Sequence, residues 1–87
     1  MYIYPIIEIS KNANESAKII LVNSFKSFDD AKKHVSYPFK TSKVIDKDKF
    51  LILTKDWNLE IINAGEIHLL TNDDKKYFRI ITEIKVL

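Results

Sequence analysis

The apolar residues of this chain fall in strand-like alternations and short runs, and they switch to helical spacing once, just after Ser27. That switch constrains the fold most, because strands alternate faces at every residue while helices repeat about every 3.6 residues. Phe28, Ala31 and Val35 stand at i, i+3 and i+7 and form one stripe of a short helix. Ser27 is placed to cap it, and Asp29 and Asp30 occupy the first turn, where the helix dipole favours acids. Pro38 stops it. A helix of about two turns is unstable alone, so its stripe needs a sheet to pack against.

The flanking segments read as strands. Residues 2–10 alternate through Ile7 and Ile9, and Pro5, which cannot donate to a ladder, marks an edge or a bulge. Residues 17–25 contain the run Ile19-Ile20-Leu21-Val22, apolar on both faces, which predicts a strand covered on both sides. A polar turn at 12–16 makes the two an antiparallel hairpin. Beyond Pro38 everything reads as β: a strand at 41–45, a turn at 46–48, and strands at 49–54, 59–62, 67–71 and 76–87. Gly65, the only glycine, is expected at positive φ in a tight turn at 63–66. The last strand is expected to place Phe78, Ile80, Ile84 and Val86 on one face and Tyr77, Arg79, Glu83 and Lys85 mostly on the other.

The order β-β-α-β-β-β-β predicts an α+β fold: an antiparallel, strongly bent sheet with one short helix packed on one face. A small half-open β-barrel is the alternative. Residues 1–87 are expected to form a single small domain.

Composition narrows the function classes. The chain is 46% hydrophobic and 30% charged, which excludes an intrinsically disordered segment. The absence of cysteine removes thiolate nucleophiles and Cys-based metal sites, and fits a reducing cytoplasm. With no leader-like segment and no apolar run near the ~20 residues a bilayer needs, a cytoplasmic protein without membrane contact is expected. Ile, Lys and Asn supply 33 of the 87 residues, an AT-rich codon bias of the kind found in low-GC bacteria, their plasmids and their phages.

Catalytic chemistry is not legible. One glycine cannot build a phosphate cradle. His34 and His68 each lack a second ligand at helical spacing. The carboxylates at Asp29-Asp30, Asp46/Asp48 and Asp73-Asp74 are explained by a helix start and two turns. No enzyme activity, metal or cofactor is therefore expected.

Surface charge is more suggestive. Residues 26–55 carry a net +4, and residues 56–74 a net −5 with no Lys or Arg. The leading expectation is a non-catalytic, stoichiometric protein-binding module that acts through its surface. A phage- or mobile-element-encoded inhibitor of a host nuclease or defence complex, or an immunity protein, is one form of it. Acids would then occupy a basic nucleic-acid-binding surface, with Asp56, Trp57, Glu60, Glu66, Asp73 and Asp74 as the interface. Trp57 suits either such an anchor or a core position at the open end of the sheet. The alternative is a nucleic-acid-binding accessory protein in which Lys32, Lys33, Lys40 and Lys43 neutralise phosphates and Tyr37 and Phe39 stack on bases. A third reading is a homo-oligomer subunit that pairs through residues 2–9 as an edge strand.

Overall fold

The computed structural model describes residues 1–37, 39, 41–57, 59, 64–72 and 75–86. The elements are β1 (Tyr2–Ser10), β2 (Lys18–Phe25), α1 (Phe28–His34), β3 (Thr41–Ile45), α2 (Lys47–Leu53), β4 (Ala64–Asn72), β5 (Lys75–Thr82) and β6 (Ile84–Lys85). All strand pairings are antiparallel, in the order β2-β1-β5-β4-β3, with the short β6 also on β1. The sheet is open, so the fold is the expected α+β architecture rather than a barrel, with two helices instead of one.

Strand alternation gives the sheet two covered faces. On one, Ile9, Ile67, Phe78 and Ile80 pack with Ile45 and with Phe50 of α2. On the other, Ile6 and Ile81 pack with Ala31 and Val35 of α1. Helix α1 lies on the path from β2 to β3, the two opposite edges of the sheet, and that path is why it spans a face. Its cap is the expected one: the Asp30 amide donates to Ser27 Oγ at 3.1 Å.

Several expectations are corrected. Residues 49–54 are not a strand. Asp46 caps α2 by accepting from the Lys49 amide at 2.7 Å. Phe50, Leu53 and Trp57, at i, i+3 and i+7, turn toward the core, leaving Leu51 and Ile52 in water. The run of four apolar residues hid that helical spacing. Of the edge or bulge expected at Pro5 only the edge is overturned, since β1 pairs with β2 on one side and with β5 and β6 on the other, while its register with β2 does shift close by, between Ile6 and Ile7. Pro5 is tolerated because it falls between the end of the β5 pairing at Ile6 and the start of the β6 pairing at Ile3. Strand β2 is not covered on both sides; it is an edge with an exposed aliphatic run.

Gly65 is a further correction. It lies within β4 without positive φ, beside an irregularity in the β4–β5 register. A Cβ there would stand 2.9 Å from the Ile81 carbonyl oxygen, so close backbone approach is what requires glycine. The last predicted strand is divided at Glu83 into β5 and β6. Of its expected polar face, Arg79 is buried under α1 while Glu83 and Lys85 are exposed, and Ile84 and Val86 of its expected apolar face are exposed as well. The strand expected at 59–62 lies mostly outside the described residues; Leu59 packs against the α2-side core.

Candidate protein-binding edge

The polar groups under α1 are occupied by the fold itself. Arg79 of β5 stands opposite Glu8 on β1 and His68 on β4. Its Nε donates to Glu8 Oε1 at 3.0 Å, and both side chains are largely buried. Its Nη1 donates to the carbonyls of Val35 (3.1 Å) and Tyr37. Those carbonyls belong to the last turn leaving α1, where helices leave acceptors unpaired. The Phe39 ring lies 4.9 Å from the guanidinium and lends a cation–π contact. The chain's only arginine is thus an internal clamp that fixes α1 to the sheet.

Beside it, His68 Nε2 lies 2.6 Å from Glu66 Oε1. A carboxylate only accepts, so Nε2 is the donor in this contact. The buried Nδ1 has no hydrogen-bond partner among the described residues. Lys32 Nζ reaches Glu66 Oε2 at 3.8 Å, a half-exposed contact of little energetic weight. Among the described residues there is no group of three acidic, His or Cys side chains able to hold a metal ion.

The acidic candidates are not brought together. Trp57 is half-buried and packs edge-on to Phe78 at 5.5 Å between ring centroids, closing the α2-side core. Its exposed side borders a shallow groove shared with Lys11, Glu15, Ile19 and Asp56. Glu66 points to the opposite, α1 face, where it is paired with His68. Glu60, Asp73 and Asp74 lie outside the described residues.

The basic candidates are likewise divided. Lys32 and Lys33 are exposed on α1, and Tyr37 is exposed just beyond it. Phe39 is half-buried between Arg79 and Tyr77. Lys43 is in register with Leu69, which packs in the α2-side core, so its side chain points away from α1. Lys40 lies outside the described residues.

What the fold does assemble is the outer edge of β2. Ile19, Ile20, Leu21 and Val22 are between 38% and 65% exposed. Ile19 and Leu21 stand opposite Ile9 and Ile7 and so lie on the α2 face; Ile20, opposite Glu8, lies on the α1 face. Among the described residues nothing pairs with the outer edge of this strand. Among the described residues, exposed aliphatic side chains also occur at Val44, Leu51, Ile52, Ile84 and Val86, but only here do four follow one another on a strand edge. Together they leave about two whole aliphatic side chains in water, ~3–6 kcal/mol of burial not realised. Edges are commonly blunted by charge, proline or brevity. Strand β2 has eight residues, no proline, one charge at its first position, and a single irregularity at Val22, where the register to β1 shifts. The sequence signal was the run itself, read as a buried strand because neither alternation nor composition reports strand order.

Comparison with family models, curated proteins and solved structures finds no match for this chain. No helix among the described residues is long and apolar enough to cross a membrane. The class these observations define is therefore structural: a small α+β sheet protein with one guarded and one unguarded edge.

Proposed function

We propose that this protein is a non-catalytic, stoichiometric protein-binding module that takes an extended segment of a partner onto the outer edge of β2. The observation that carries this reading is the free, uncharged run Ile19–Val22 on an edge strand. Strand addition uses main-chain hydrogen bonds for affinity and alternate side chains for specificity, and β2 offers aliphatic residues on both faces. The adjoining groove beside Trp57 extends the surface past Ile19 toward Lys11 and Asp56. Inhibition of a host nuclease or defence complex, by a protein encoded on a phage or mobile element, is a finer form of the proposal. It rests on the codon bias and on the net charge of −5 over residues 56–74, and of its six candidate interface residues Asp56, Trp57 and Glu66 are among the described ones.

The test is a tagged pull-down with the wild-type chain, Leu21→Lys and Ser42→Lys, each with and without nuclease. A discrete protein recovered by wild type and Ser42→Lys, resistant to nuclease and lost with Leu21→Lys, is the expected result. Equal recovery by Leu21→Lys removes β2 as the docking edge. Recovery of nucleic acid alone, with an affinity falling steeply as salt rises, replaces the proposal with the Lys32 and Lys33 surface.

A further inference from the structure

We infer that, in the absence of another partner, the β2 edge is occupied by a second copy of this chain, paired β2 to β2 in antiparallel about a two-fold axis at Ile20. This rests on the reading of β2 as the docking edge. In a continuous antiparallel sheet, directly opposed residues lie on the same face. A two-fold axis within β2 must therefore fall on a residue and not between two. Placed on Ile20, it sets Ile19 beside Leu21 twice on the α2 face and Ile20 against its own copy on the α1 face. Every aliphatic residue of the regular stretch before the Val22 irregularity then meets another aliphatic residue. Lys18 is the only charge in the strand, and the antiparallel arrangement carries the two copies of it to opposite ends of the paired segment. A parallel arrangement would set them side by side, where like charges repel. The whole chain carries only +2, so long-range repulsion between copies is small. The edge is thus its own complement in face over residues 19–21, and Lys18 falls outside that stretch, opposite Val22 at the irregularity. Its short span, below the roughly 800 Å² per partner of a standard interface, makes the pair a weak and exchangeable one.

Two measurements test this. The chain has no cysteine, so Ile20→Cys introduces a single thiol at the axis, an exposed position where substitution leaves the core intact. Cross-strand Cα separations of about 4.5–5.5 Å fall in the range a disulfide spans. Mild oxidation is expected to give a covalent dimer from Ile20→Cys and none from Ser42→Cys on β3. Sedimentation velocity is expected to show a dimer fraction that rises with wild-type concentration. For Leu21→Lys, association should weaken by about tenfold or more, as two introduced lysines face the paired strand. A wild-type chain that stays monomeric at high micromolar concentration overturns the inference. Equal crosslinking from both cysteine variants, or a dimer indifferent to Leu21→Lys, does the same. A monomeric wild type whose pull-down still depends on Leu21 overturns self-pairing alone and leaves strand addition standing.

Discussion

The two edges of this sheet are built to opposite rules. Strand β3 is five residues long, has the sequence Thr-Ser-Lys-Val-Ile, and buries Ile45 beneath α2. Strand β2 has eight residues and leaves four consecutive aliphatic side chains in water. A charge in a short edge strand deters another chain from adding to it, as Lys43 does on β3. The centre of β2 has no such guard. The same fold could have placed a lysine at position 20 or 21 without disturbing any buried group. An edge left apolar where polarity costs little is the observation on which the proposed docking role rests.

The comparison breaks most severely from the middle of the sheet, which both edges share. Replacing Arg79 with leucine strands the Glu8 carboxylate and the carbonyls of Val35 and Tyr37 under α1. Breaking a buried pair from one side costs about 3–5 kcal/mol. Urea denaturation is expected to find Arg79→Leu close to unfolded, and a loss below about 1 kcal/mol would show that the clamp does not hold α1. Next comes the β3 side, where β4 approaches β5 too closely for a side chain. Gly65→Ala drives a Cβ toward the Ile81 carbonyl and is expected to cost roughly 1–3 kcal/mol in the same assay.

The edges themselves sharpen the contrast without changing stability much. Ile20→Lys and Val44→Lys alter exposed residues, so both are expected to stay within about 0.5 kcal/mol of wild type. Only the β2 variant should lose association in sedimentation. The two caps, which fix the helices on either face, fall between Gly65→Ala and these edge variants in their effect on stability. Ser27→Ala and Asp46→Ala each remove one side-chain acceptor and are expected to cost about 1 kcal/mol by thermal or urea melts.

The two helices show where sequence reasoning reached and where it stopped. Both are seven residues long, both follow a capping residue, and both turn i and i+3 positions inward, with the i+7 residue, Val35 or Trp57, packing from just beyond the helix. Helix α1 was legible because Asp29, Asp30, Lys32 and Lys33 separate its apolar residues. In α2, Leu51 and Ile52 fill the gap between Phe50 and Leu53, so the stripe is buried in a run that a strand would also give. The antiparallel strands were legible from alternation and turns. The edge was not, because an aliphatic run is compatible with the middle of a sheet, and only the pairing of β1 with β5 decides which strand is left outside. The acidic and basic candidates were grouped by neighbourhood in sequence, but alternation sends Glu66 and Lys43 to faces away from the groups assigned to them.

The pairing of Glu8 with Arg79 joins residues 71 positions apart, in the two strands at the centre of the sheet. During synthesis, the β1–β2 hairpin is complete long before β5 exists. Until β5 arrives, β1 has one unpaired side of its own, so the nascent hairpin presents two open edges to its surroundings. Long-range strand pairing is slow to form, and unpaired strands are prone to meet the wrong neighbour in the meantime. Folding closes that side of β1 with β5 and, among the described residues, leaves the outer side of β2 as the one edge of the early hairpin that stays open.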